Sequence, residues 1–399
     1  MSYKNIVVVG AATAGLTAAA ELAKSLPETH RVILLEANPA AFWTIAALRA
    51  SVQPGYEKEI VRDVNTKNVF GDNTRHIALN STRVIDIKED HVVVDRDVSS
   101  EIQGSRFNGT GTEIPIDRAI LALGADYGFP NRISKSAKTK DDIYADFQRL
   151  QSQIKAAQNI LVLGGGPTGV EFVGEVVQVY PEKAKNITLV TRGDHLISNG
   201  KDSFVTLSSK LISQLKGKGV NVVLDDSISA DDLSTGALES STTFTTEKGA
   251  QIPADFVFIA SGGKPNSELV KAVDASVVND KGQVVVNPDL SVKSSSPLWK
   301  RYFVVGDAND APVSKTSYMA GTHASATAKN IIEIVKAEAK SAKPNTKPAP
   351  PQSGDIIMVP LGKWGGAGYL MFFTPGSWIT GSIKGKSLFL SNFTKFFRA

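Results

Sequence analysis

The 399-residue chain contains no cysteine. That absence excludes disulfides, thiolate nucleophiles and cysteine-ligated metals together. Histidine is scarce too: His30, His76, His91, His195 and His323 are all there are, and none is spaced i, i+4 as a helix-borne metal site needs. No metal site is expected. No apolar run reaches the ~20 residues of a membrane-spanning helix. An excess of one charge is also missing from the body of the chain, where Lys/Arg and Asp/Glu are interspersed and the net charge is only +4. Nucleic acid is therefore not an expected partner. The first apolar strand begins at residue 5, leaving no room for a signal or transit peptide, and Ser2 stands where N-myristoylation requires glycine. These features read as a cytoplasmic protein, with 42% hydrophobic and 21% charged residues and enough length for two or three domains.

What is present begins with a β-branched run, Ile6 to Val9, followed by Gly10-Ala11-Ala12-Thr13-Ala14-Gly15 and an alanine-rich helical stretch. A second strand, Arg31 to Leu35, ends in Glu36, 21 residues after Gly15. Strand, glycine turn, helix and strand-end carboxylate make a βαβ opening suited to a dinucleotide. The turn lets the backbone approach a pyrophosphate, the helix N-terminus offers N–H groups, and the acid receives ribose hydroxyls. The middle glycine of G-x-G-x-x-G is replaced by Ala12, so a plain strand-to-helix turn is the competing reading. A second copy decides for the dinucleotide. Asn159 to Leu163, Gly164-Gly165-Gly166-Pro167-Thr168-Gly169 and Ile187 to Val190 repeat the unit 154 residues later with the glycines intact.

The second copy lacks the acid. Thr191 lies 22 residues after Gly169, with Arg192 beside it. An arginine there can accept the 2′-phosphate of NADP, so NADPH is expected to serve at least as well as NADH; a solvated loop arginine is the alternative. Glu171, just inside the second helix, is either a carboxylate on the nicotinamide side or an acid complementing a helix N-terminus. Between the copies, Phe42 to Val52 is apolar around a single Arg49, which has to reach water or meet an anion. Short alternating strands follow between about Arg75 and Asp97, then an apolar strand Arg118 to Gly124 and a helix Asp141 to Ala157. Past the second copy come the strand Asp255 to Ala260 with Ser261-Gly262, the strand Tyr302 to Val305 with Gly306-Asp307, and a small-residue helix from about Thr316 to Ala339. Asp307 either bonds a ligand polyol across the sheet end or caps a turn. Residues 340 to 354 are rich in Pro and Lys. Residues 355 to 399 hold nine aromatics and one acid, Asp355, against five basic residues. Such a segment suits anionic lipid, a hydrophobic substrate or self-association, or forms a C-terminal layer packed on the first domain.

Taken in order, these motifs resemble the two-dinucleotide-domain flavoprotein oxidoreductases. The stretch Ala47-Leu48-Arg49-Ala50-Ser51-Val52, together with Tyr318 to Ala324 and Lys386 to Ser391, is similar to the apoptosis-inducing-factor-like subgroup that includes the ferroptosis-suppressor quinone reductases. The resemblance implies an α/β chain with two Rossmann-like FAD/NAD(P)-binding domains, the second inserted in the first. The FAD domain would be 1–130 and 280–340, the NAD(P)H domain 141–279, the linker 341–354 and the C-terminal segment 355–399. FAD would meet Gly10, Ala11, Ala12, Ala14 and Gly15 at the pyrophosphate, Glu36 at the ribose, Arg49, Thr82 near adenine, Gly124, and Asp307 at the ribityl chain. NADPH or NADH would lie against Gly164, Gly166, Thr168, Gly169, Arg192 and Gly262, with Glu171 as the catalytic-side carboxylate. The implied reaction takes hydride from NAD(P)H and delivers electrons to a quinone. Lacking cysteine, the chain cannot send them through a cysteine pair. A one-electron or protein acceptor, or a redox-switched binding role, are the rival readings. Peripheral membrane contact through the tail and a homodimer both stay open.

Overall fold

The structure is a computed structural model and describes residues 3–104, 111–198, 204–260 and 262–398; Ser2 and Ser261 of the sequence motifs lie outside the described residues. Two five-stranded sheets organise the chain. The first runs in the order Tyr302–Val304, Arg118–Leu121, Lys4–Val9, His30–Leu35 and Ile77–Leu79, all parallel. Its central strands are unbroken apolar runs because helices or further strands cover both faces. The second runs Asn221–Val223, Ile187–Val190, Ile160–Leu163 and Gln251–Ile259 in parallel, with Gly236–Thr245 antiparallel at the edge. In both sheets the strand before the glycine turn is central, and the order reverses there, which is where an open α/β sheet receives its ligand.

The chain leaves the first sheet, builds the second, and returns with Tyr302–Val304. Its outgoing and returning passages pair as the antiparallel strands Ala125–Asp126 and Lys264–Pro265. Asn266 latches this crossing, its side chain donating to the Leu123 carbonyl at 2.9 Å and its backbone N–H to that of Gly124 at 3.0 Å. The outgoing passage leads into the helix Lys140–Ala156, which starts on a capping box between Thr139 and Asp142.

The two glycine-turn helices are covered differently. Thr13–Ser25 packs on the long helix Ser317–Glu338. Pro167–Val179 packs on a hairpin of the tail, Ile356–Leu361 with Gly365–Leu370, so closely that a Cβ on Gly174 would lie 2.5 Å from the Leu361 Cα. Residues 340–354 lack regular structure but are strapped to the long helix, where the Asn330 amide bonds both backbone groups of Lys347 and His323 Nε2 donates to the Pro350 carbonyl at 3.0 Å. The tail is not a layer on the first sheet's domain alone. Its hairpin sits on the second unit, where the Gln214 side chain bonds both backbone groups of Gly366. Its last helix, Leu390–Thr394, returns to the first unit, where Trp43 stacks on Phe393 and donates to the Leu388 carbonyl at 2.7 Å.

Candidate active site

The two glycine turns are built alike at their first and last glycines. Gly10 and Gly164 have φ of +102° and +122°, and each passes so near the neighbouring strand that a Cβ would sit 2.5 Å from the Ala122 carbonyl oxygen or 2.7 Å from that of Ala260. Only glycine fits there. A Cβ on Gly15 or Gly169 would run into the carbonyl of Gly10 or Gly164, so these glycines let each helix start directly against its strand. The middle positions differ. Gly166 faces open space, with nothing within 4 Å of a built Cβ, and its counterpart Ala12 is the exposed N-cap of the first helix in extended conformation. Neither helix has a side-chain cap, so the first-turn N–H groups are left for an anion.

Of the residues expected to meet FAD, Glu36, Thr82, Ala14 and Asp307 lie around the first turn. The Glu36 carboxylate is buried and accepts the Ala11 N–H at 2.6 Å, with its other oxygen held by Asn38. Thr82 is buried next to it, donating its N–H to the Glu36 carbonyl at 2.9 Å, while its hydroxyl accepts Arg96 Nε. Ala14 lies across from Gly306, whose φ of +78° turns the chain into Asp307. Asp307 accepts a hydrogen bond from Tyr127 at 3.0 Å, and the Tyr127 ring lies over Gly263 so closely that a Cβ there would collide. Burial first, and then the Asp307 carboxylate, push the Tyr127 phenol well above its usual range, so it stays a donor. Glycine surfaces that admit close backbone approach, bare helix N–H groups and a ribose-directed carboxylate fit FAD and a nicotinamide dinucleotide.

Arg49, also expected to meet FAD, has its guanidinium on the second-turn helix. It is buried and pairs in bidentate fashion with Glu175 on the second-turn helix, at 3.0 Å and 2.8 Å. Glu175 is the anion that an arginine in an apolar segment requires. One helical turn earlier, Glu171 is buried as well and accepts a hydrogen bond at 2.7 Å from Lys384 of the tail, whose ammonium also reaches the Met358 carbonyl. Burial pushes the Glu171 carboxyl above its usual range, Lys384 pulls it back, and Glu175 adds to the rise. The Glu171 carboxylate is therefore a proton-sensitive group near the start of the second-turn helix.

Arg192 is exposed beyond the second sheet's Ile187–Val190, where the Thr191 backbone pairs with Val223 and Asp226. Gly262 faces open space. Lys384, Glu175 and Tyr127 had not been singled out in the sequence. The i, i+4 spacing of Glu171 and Glu175 is a signal that both face one way. Lys384 carried none, being 213 residues from its partner.

The fold and these paired sites define a flavoprotein with two dinucleotide-binding units. The chain belongs to the pyridine nucleotide-disulphide oxidoreductase family, whose profile matches residues 4–328. It is 30% identical over 411 residues to apoptosis-inducing factor homolog B of Dictyostelium discoideum, covering 98% of this chain and 96% of that protein. It is 27% identical over 397 residues to human ferroptosis suppressor protein 1, covering 99% and 96% respectively. Among solved structures, the sulfide:quinone oxidoreductase of Aquifex aeolicus matches with a TM-score of 0.68 at 16% identity, over 98% of this chain and 90% of that one. A NAD-dependent persulfide reductase from A. fulgidus matches with a TM-score of 0.64 at 18% identity; 89% of this chain is covered, and it spans 62% of that protein. The chain is a flavin-dependent NAD(P)H oxidoreductase.

Proposed function

We propose that the enzyme delivers its electrons to a quinone. The observation that carries this reading is the Lys384–Glu171 pair, set beside the second dinucleotide turn by an aromatic tail in a chain without cysteine. FAD, when bound, supplies the hydride-accepting chemistry. The first turn and its helix N-terminus would hold the pyrophosphate, Glu36 the ribose and Asp307 the polyol. Tyr127 fixes the Asp307 carboxylate. Gly164, Gly166, Thr168, Gly169 and Gly262 shape the coenzyme cleft, with Arg192 at its rim for a 2′-phosphate, and Glu171 stands on the nicotinamide side. Lys384 Nζ donates to Glu171 and to the Met358 carbonyl, and a quinone oxygen gaining charge beside this pair is a suitable partner for the same donor. The description of the Aquifex aeolicus neighbour as a quinone oxidoreductase agrees with this acceptor class.

An anaerobic titration tests the reading. NADPH or NADH should bleach the flavin absorption, and a short-chain ubiquinone analogue should restore it within the turnover time. Bleaching that ferricyanide or cytochrome c reverses but the quinone does not would replace the quinone with a one-electron acceptor.

Where the quinone comes from is addressed by the outer face of the tail. Phe372 is 97% exposed and Trp378 77%, with Met371, Phe373 and Ile383 nearby in sequence and also exposed. No helix among the described residues is long and apolar enough to cross a membrane. Exposed aromatics on a basic segment suit a peripheral contact with anionic lipid. Co-sedimentation with vesicles containing phosphatidylglycerol should fall at high salt and in Phe372→Ser/Trp378→Ser. A protein that ignores vesicles but is dimeric, and becomes monomeric in that variant, would assign the face to a second copy instead.

A further inference from the structure

Arg49 lies on the short helical turn Ala47–Ala50 of the first unit, and its side chain is 1% exposed. Nε and Nη2 donate to the two carboxylate oxygens of Glu175, Nη2 also to the Gly385 carbonyl at 2.6 Å, and Nη1 to the Lys386 carbonyl at 3.3 Å. Its guanidinium lies over the Tyr56 ring, 5.8 Å from the centroid. One side chain thus touches three parts of the chain: the first unit, the second-turn helix and the tail. The carbonyl it grips most tightly belongs to the residue next to Lys384.

Glu171 and Glu175 share a face of Pro167–Val179, and their cations come from different segments, Lys384 from the tail and Arg49 from the first unit. The four charges cancel, as a buried cluster requires. A planar guanidinium can span a carboxylate and still reach two carbonyls, whereas an ammonium cannot present donors in that fork.

We propose that the Arg49–Glu175 pair is the positioning device of the site: it holds the tail turn so that Lys384 stays on Glu171, and it fixes the second unit against the first. This rests on reading Glu171 as the nicotinamide-side carboxylate. Arg49 and Glu175 touch no reacting atom in this scheme and act through Lys384.

The test follows the reduction of the flavin by NADH, anaerobically and across pH, in the full-length FAD-loaded protein carrying Arg49→Lys, Lys384→Met or both. The charged or titratable groups facing Glu171 are Lys384, Glu175 and Arg49, so its titration reports their placement. Arg49→Lys should slow reduction on the order of tenfold and shift the pH profile, since small misplacements in a site cost that much or more. In the Lys384→Met background the same change should add less than about twofold, because the two act as a unit. Brief trypsin treatment of the native Arg49→Lys protein should cut after Lys384 or Lys386 faster than it cuts the wild type. Glu175→Gln should reproduce all of this and serves if Arg49→Lys does not fold.

Equal slowing with and without Lys384, or trypsin cleavage at the wild-type rate, would overturn the proposal. Loss of flavin from Arg49→Lys would overturn it as well and make Arg49 an FAD ligand. No quinone is present, so a wrong acceptor leaves the result standing. A wild-type flavin that NADH cannot reduce would sink the role of Glu171 and the proposal with it.

Discussion

The two glycine turns are the same device put to different uses. In each, a left-handed glycine slips under a neighbouring carbonyl and a later glycine lets the helix touch the strand. They diverge in what surrounds them. The first turn is closed by Glu36 and its helix is roofed by the long helix Ser317–Glu338; the second has Thr191 in place of the acid, with exposed Arg192 next to it, and is roofed by the tail hairpin. The roof decides which side chains reach each helix. A helix–helix contact over Thr13–Ser25 needs small residues, and Gly321 rests on Thr13 and Thr17. The tail over Pro167–Val179 instead brings a lysine to a buried carboxylate. The repeated fold gives both turns one geometry, while the covering segment gives each helix its own neighbours.

Breaking each turn separately gives the largest expected effect. A side chain at Gly15 or Gly169 meets backbone, and overpacking of that kind costs about 1–3 kcal/mol besides deforming the turn. Gly15→Val should purify without flavin. Gly169→Val should purify yellow, yet neither NADH nor NADPH should bleach it; visible absorption before and after coenzyme reads both.

Removing the cation that the tail contributes comes next. Lys384→Met leaves Glu171 buried without its partner, a loss of about 3 kcal/mol when the carboxylate is charged. The folded-state pKa of Glu171 is raised above its ordinary 4.5, so its contribution to stability is present below that value and is lost as pH rises through the raised one. Lys384→Met pushes the carboxyl higher still. Guanidinium denaturation should show the deficit growing as pH rises above the ordinary 4.5, and Glu171→Gln in the same background should remove the slope.

Arg192→Ala sharpens the contrast between the strand ends. It should raise the KM for NADPH roughly tenfold, worth about 1.4 kcal/mol, and leave that for NADH unchanged. A strong NADH preference that Arg192→Ala does not alter would make Arg192 a solvated loop residue. The smallest effect is expected from exchanging the middle positions. Ala12→Gly should change FAD retention by less than about threefold and cost under ~1 kcal/mol of helix-start stability, because Ala12 is already extended and exposed.

Much of the first sheet's site was legible in the sequence because it is local. Gly10, Gly15 and Glu36 sit at spacings that a βαβ unit imposes, and continuous β-branched runs mark buried parallel strands. The helix expected over Asp141 to Ala157 runs from Lys140 to Ala156, and that expected from about Thr316 to Ala339 from Ser317 to Glu338. Other features were not legible, for a common reason. Tyr127 meets Asp307 180 residues away, and Arg49 meets Glu175 across 126. No periodicity links such residues. The sequence required only that a lone arginine in an apolar segment find an anion.

The amino-acid order by itself determined two dinucleotide turns, the lack of any cysteine route for electrons, and a basic aromatic tail, since each follows from backbone conformation, composition or charge that neighbours do not alter. Only the tertiary structure decided that the tail bridges both units, that Glu171 is paired with Lys384, and that Arg49 and Glu175 hold the three parts together. Those are contacts between segments distant in the chain. Their energies depend on burial, which charges acquire only once the segments have packed.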